Sequence, residues 1–160
     1  MLALIQRTGF NEYNTAIFPK GTPIDESNYD MLEYLQELLN VDFICVMKKG
    51  SITFKHYTKE NNLDFILENG LVPKEVNGIY DIGYGIYCIE DGNTDGLDNI
   101  IDMYSDYPPS LKLLKVTKGY SGVYRECIAG ENHSGYICLL NVPIKLNKRD
   151  YTITTVREEF

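Results

Sequence analysis

No run of apolar residues in this 160-residue chain approaches the roughly 18 that a membrane-spanning helix needs. The opening Met1-Leu-Ala-Leu-Ile-Gln-Arg7 is too short, and meets an arginine too soon, to read as a secretory signal. The expected setting is therefore cytoplasmic, with no membrane partner. Basic charge is scarce: 15 Lys and Arg face 23 Asp and Glu, leaving a formal charge of −8. Nucleic-acid binding depends on clustered cations that neutralise phosphates, so no strong nucleic-acid affinity is expected. A single phosphate-bearing ligand stays admissible, because local donors and aromatic faces can hold it against an unfavourable net field.

Metal and nucleophile signatures are equally thin. Cys45, Cys88, Cys127 and Cys138 stand singly in apolar or β-rich runs, without the close pairing of zinc sites, and read as buried reduced thiols. Asp91, Asp95 and Asp98 lack the spacing of a calcium loop, and no metal is expected. The two histidines, His56 and His133, have no flanking Ser-His-Asp pattern or reactive-cysteine context. No repeat, low-complexity tract or linker divides the chain.

What is present is an apolar content of 44%, enough for a core, arranged with helices early and strands late. Residues 1–50 read as a strand-helix-strand segment packed on a core formed by 51–160. In the first segment a Gly21-Thr-Pro23 turn precedes a helix capped by Ser27, with Met31, Leu32, Leu35, Leu38 and Leu39 on one stripe. Val41-Asp-Phe-Ile-Cys-Val-Met47 then reads as a strand ended by Lys48-Lys-Gly50. Ile52-Thr-Phe-Lys-His56 alternates as a second strand, Thr58 is placed to cap a helix buried through Leu63, Ile66 and Leu67, and Gly70 closes it.

Gly83-Tyr-Gly-Ile-Tyr87 turns into the strand Ile86-Tyr-Cys-Ile89, and Glu90 to Asp98 reads as a loop before a helical turn at 99–104. Four further strands are expected at 111–116, 123–128, 135–140 and 151–156, the middle two forming a hairpin. The class is α+β with a largely antiparallel sheet.

The order strand, His56-Tyr57-Thr58, helix, Ile66-Leu-Glu-Asn-Gly70-Leu71, then Gly83-Tyr-Gly-Ile-Tyr87 resembles the first half of an ADP-ribosyltransferase domain of the His-Tyr-Glu type. The resemblance covers residues 52–104, and 111–156 as a strand pattern. It implies a split antiparallel β-sheet core with a few short helices, NAD as substrate, and transfer of ADP-ribose to a protein or nucleic-acid acceptor. By the same resemblance His56 holds the adenosine-side ribose, the main chain at Tyr57 with Thr58 meets the nicotinamide carboxamide, and Tyr87 with Tyr80 or Tyr104 walls the nicotinamide. A strand-end imidazole suits a ribose hydroxyl, tyrosine faces suit ring stacking, and Gly83 and Gly85 leave room for close approach to the main chain.

The family's glutamate stands near the start of a late strand, where this chain has Gly135. Glu126, which alternation puts on the face of Tyr124 and Ile128, is the first candidate for the carboxylate that polarises the ribose. Glu131, with His133 at the rim, is the second, and an absent acid the third. Glu158 and Glu159 read as an exposed tail. Two rival functions share the architecture: an inactive nucleotide- or protein-binding module, and an RNA 2′-phosphotransferase, which would need an added basic cluster.

Overall fold

The computed structural model describes residues 2–9, 12–17, 43–73, 85–129 and 135–160. The helix expected after Ser27 and the segment holding Tyr80 and Gly83 lie outside them. Within the described residues the chain is α+β: a seven-stranded, antiparallel sheet with a few short helices. Its strands are β1 (Leu2–Gly9), β2 (Glu12–Ile17), β3 (Phe43–Lys59), β4 (Ile86–Glu90), β5 (Lys112–Ala129), β6 (Tyr136–Leu139) and β7 (Tyr151–Thr155). The helices are α1 (Leu63–Asn69), α2 (Thr94–Tyr104) and the short α3 (Val156–Glu159).

Two expected breaks do not occur. Lys48-Lys-Gly50 was expected to end a strand, yet β3 runs through it, and β5 joins the expected strands 111–116 and 123–128 into one. The reason lies in the pairing. Gly50 stands opposite Gly122 and Ser51 opposite Ser121, so the residues that look like turn formers in one strand meet small partners in the other. The two strands form one long ladder from Cys45–Cys127 to Lys59–Leu113 with uninterrupted register. Sequence alternation cannot see that partner.

β3 also pairs with β4, β4 with β6, and β6 with β5, so the hydrogen-bonded order β3-β4-β6-β5 closes on itself, with β1 and β2 added at the first part of β3 and β7 at β5. Closure removes open edges from the middle of the sheet. One face, hereafter the Phe54 face, carries Phe54, Ile86, Cys88, Leu114, Val116, Ile137 and Leu139 and forms the main core, completed by Ile66 of α1, Leu71 and Ile144. The other, the Tyr57 face, carries Tyr57, Ile89 and Leu113 under Ile100 and Tyr104 of α2.

α2 begins five residues before the expected helical turn. Asn93 caps it by accepting from the Gly96 amide at 2.9 Å. Gly96 itself is buried, and a Cβ there would come within 2.7 Å of Ile89. This glycine, which read as loop, is what lets the helix lie close on the sheet. Gly70, by contrast, ends α1 as expected, with φ of 79° and its amide bonded to the Ile66 carbonyl at 2.7 Å. The hairpin partners 123–128 and 135–140 do pair, as Tyr124–Leu139, Arg125–Cys138 and Glu126–Ile137.

Candidate functional site: the parting of β3 and β4

The β3–β4 ladder is short. It holds at Phe54–Glu90 and Lys55–Ile89, with the Asp91 amide bonded to the Thr53 carbonyl at 2.8 Å, and ends there. Thr53 and Lys55 turn their main-chain groups toward β4, so the period of two makes Tyr57 the next residue to present its amide and carbonyl to that edge. Across from it the Tyr87 carbonyl is taken by a side chain instead. The His56 Nδ1 lies 2.6 Å from the Tyr87 oxygen.

A carbonyl oxygen can only accept, so Nδ1 carries the proton and Nε2 of the neutral ring is an acceptor. His56 is partly buried. Desolvation lowers its pKa below the ordinary 6.5, and the hydrogen bond to Tyr87 offsets part of that. The ring is thus neutral at pH 7, with one nitrogen committed to the strand parting and the other an acceptor.

The tyrosines are arranged differently from the expected slot. Alternation puts His56 on the Phe54 face, while the Tyr87 phenol lies on the opposite face, packed with buried Cys127 and Cys138. The imidazole therefore meets the main chain of Tyr87 and not its ring. Tyr104, expected to wall a slot, is core: it packs with Tyr57, Ile89, Ile100 and Leu113, and burial pushes its hydroxyl up to about 12. The Tyr57 ring belongs to that same cluster, so of this residue only the main chain faces the parting.

Thr58 does not cap the helix. It is a β3 residue whose Oγ1 accepts from Asn62 Nδ2 at 2.7 Å, and the 3-10 turn Glu60–Asn62 intervenes before α1. Gly85 has a packing reason. At φ of +153°, a Cβ there would stand 2.4 Å from Cys138 Sγ and 2.7 Å from the Leu139 carbonyl oxygen. The glycine lets the chain enter β4 against β6, and nothing about a ligand is needed to account for it. Tyr80, Glu131 and His133 lie outside the described residues.

Glu126 is on the Phe54 face, as His56 is, and in line with it: Glu126 stands opposite Ile137, and Ile137 opposite Cys88, one strand short of β3. Cys88 and Ile137 are buried, so core atoms occupy the line between the carboxylate and the imidazole. Lys48 forms an ion pair with Glu126. Tyr124, opposite Lys48, is buried beside this pair; desolvation raises its pKa, with Lys48 opposing and Glu90 and Glu126 adding to the shift. The structure thus joins His56 to the main chains of Tyr57 and Tyr87, sets Glu126 on the same face, and moves the Tyr87 and Tyr104 rings to the other.

One residue that reads as tail is part of the site's support. Glu159 Oε1 accepts from the Tyr57 hydroxyl at 2.7 Å and lies 2.9 Å from Lys115 Nζ. Burial alone would raise the Glu159 carboxyl, but the Tyr57 hydroxyl and Lys115 ammonium outweigh it and hold it below its ordinary value. The signal was available in the sequence: Thr155 and Glu158 make a reciprocal capping box, which orders α3 and carries Glu159 onto the sheet.

Comparison with protein-family models, with curated proteins and with solved structures finds no match for this chain. Among the described residues no helix is long and apolar enough to cross a membrane, and no group of three or more His, Cys, Asp or Glu side chains is placed to hold a metal ion.

Proposed function

We propose that the chain binds NAD where β3 and β4 part, and that it is an ADP-ribosyltransferase of the His-Tyr-Glu type with an ADP-ribosyltransferase-like split sheet. The observation that carries the reading is the His56–Tyr87 contact beyond the last ladder pair. It leaves an imidazole acceptor beside a strand residue, Tyr57, whose amide and carbonyl face one edge. A carboxamide has a donor and an acceptor on one side and fits such a main-chain pair, while a ribose hydroxyl fits Nε2.

In the reaction the bond between the ribose C1′ and the nicotinamide nitrogen breaks, nicotinamide leaves with the electron pair, and the acceptor's nucleophile bonds to C1′. The ribose gains oxocarbenium character, and a carboxylate on its 2′-hydroxyl would stabilise that charge. Glu126 is the first candidate for this role and Glu131 the second. The acceptor would be a protein or a nucleic acid, with 1–50 flanking the cleft.

A second reading is favoured by a specific contact. Lys48 already answers the Glu126 charge, which fits a nucleotide- or protein-binding module without transfer. The RNA 2′-phosphotransferase reading has less behind it, since two of the lysines near His56 are matched by carboxylates: Lys55 by Asp91 at 3.2 Å and Lys115 by Glu159.

The deciding experiment incubates the purified protein and a cell extract with NAD labelled on the adenylate, using wild type, Glu126→Gln and Glu131→Gln. Label transfer lost in one glutamine variant supports the enzyme and names its acid. Thermal stabilisation by NAD without transfer in any of them supports the binding module. Neither transfer nor stabilisation removes both readings.

A further inference from the structure

The strand order leaves β7 at one end of the sheet. Among the described residues it pairs with β5 alone, from Val116–Tyr151 through Leu114–Ile153 to Lys112–Thr155. Natural sheets guard such an edge with a charged residue, a proline or a bulge. Tyr151-Thr-Ile-Thr-Thr155 has no charged residue and no proline, and its register with β5 runs without a shift.

The hydrogen bonds at the two ends of β7 tell which main-chain groups face outward. The Thr117 amide donates to the Asp150 carbonyl at 2.8 Å, and the Val156 amide to the Leu111 carbonyl at 3.1 Å, both in the register of the ladder. The period of two then makes Thr152 and Thr154 the β7 residues bonded to β5, and turns the main chains of Tyr151, Ile153 and Thr155 to the open edge. The Thr155 amide donates to Glu158 Oε2 at 3.3 Å. Complete amide and carbonyl sets therefore remain at Tyr151 and Ile153. Their side chains share the Phe54 face: Tyr151 packs on the main core, while Ile153, opposite core Leu114, keeps 45% of its surface exposed.

We propose that β7 pairs antiparallel with β7 of a second copy of this chain, about a two-fold axis at Thr152. The occupant follows from the spacing of the outward groups. Two sets separated by one residue match the same two sets reversed, so Tyr151 meets Ile153 of the second copy and Ile153 meets its Tyr151, each pair exchanging both main-chain hydrogen bonds. An aromatic residue opposite a β-branched one is a favourable cross-strand pair, and it covers the exposed flank of Ile153. Thr152, exposed on the Tyr57 face, stands opposite itself. No like charges are opposed: Asp150, the nearest charged residue, faces Thr154. The self-match closes after two copies, whereas pairing of β7 with β2, at the other end of the strand order, would run head to tail without closing.

Sedimentation equilibrium of the full chain, over a concentration series up to millimolar at physiological ionic strength, should show the mass rising from one chain to two and no further. Thr152→Cys, treated with glutathione disulfide and mapped by mass spectrometry, should give a dimer linked through position 152 of both copies. Non-hydrogen-bonded partners bring Cα atoms to about 4.5 Å, inside the span of about 4.4–6.8 Å that disulfides use. Thr154→Cys, on the same face but out of register with itself, should give no link through position 154. Ile153→Pro removes an amide that β5 does not use and should weaken the dimer by more than about tenfold. Thr152→Lys sets two ammonium groups across the axis, should weaken it likewise, and decides the matter if the proline variant fails to fold. A mass of one chain throughout the series, a mass that grows beyond two chains, a dimer without the link at 152, a link through 154, or a dimer indifferent to these substitutions would overturn the proposal.

Discussion

The two ends of β3 handle a polar side chain in opposite ways. At its first half Lys48 meets Glu126 across the ladder, and full charges neutralise one another near the surface. At its far end the ladder with β4 stops, and a neutral imidazole supplies the donor that a main-chain amide would have given to Tyr87. An ion pair with a side chain that is 42% exposed contributes little and is screened by salt. A ring hydrogen bond that replaces a ladder bond in a desolvated spot is specific to one tautomer. The same strand thus carries an electrostatic contact at one end and a shaped, uncharged one at the other, and the second is the better place for a neutral ligand group.

Substitutions sharpen this comparison in order of their expected effect. Phe54 has no exposed surface and lies beside the last ladder pairs. Phe54→Ala should cost about 3–5 kcal/mol in denaturant unfolding, since it leaves a cavity in the main core. Gly85→Ala should cost more than about 2 kcal/mol, because β6 has no room for the new Cβ. Tyr57→Phe removes the donor to partly buried Glu159 and should cost about 1–3 kcal/mol. Lys48→Ala should cost less than about 1 kcal/mol, an effect that disappears at high salt. A Lys48→Ala loss larger than that of Tyr57→Phe would reverse the contrast between the ends.

pH separates the ends as well. His56 has a lowered pKa, so between its folded value and 6.5 the unfolded chain binds more protons. Stability should be full above about 6.5 and fall as pH drops through that window. His56→Gln should remove that part of the slope. The depressed carboxyls, Asp150 held mainly by Lys118 and Glu159 by Tyr57 and Lys115, act lower. Their contribution is present above the ordinary carboxylate range and is lost as pH falls through their folded values, so urea melts at stepped pH distinguish the two windows.

Much of the sheet was legible because alternation and turn residues are local signals. The strands at Ile52–His56, Ile86–Ile89 and Tyr151–Thr155 and the closing glycine of α1 were read from them. What was not legible depended on a partner. Gly50 and Gly122 look like breaks until they are placed opposite each other, and Gly96 looks like a loop until Ile89 is under it. Thr58 has the chemistry of a cap, but the ladder extends β3 to Lys59 and takes it first. At the site, the resemblance implied that His56 and Tyr87 line one slot, and the strand period decides which part of Tyr87 the imidazole meets. Face assignment across strands is a pairing property, so the expected slot is divided, with the imidazole on one face and the Tyr87 and Tyr104 rings on the other.

The most direct test is ¹⁵N NMR of the His56 ring at pH 7, titrated with NAD. The account predicts a neutral ring protonated at Nδ1, with the Nε2 resonance moving as NAD binds while Nδ1 stays bonded to Tyr87. A ring protonated at Nε2, or an Nε2 resonance indifferent to saturating NAD, would contradict it.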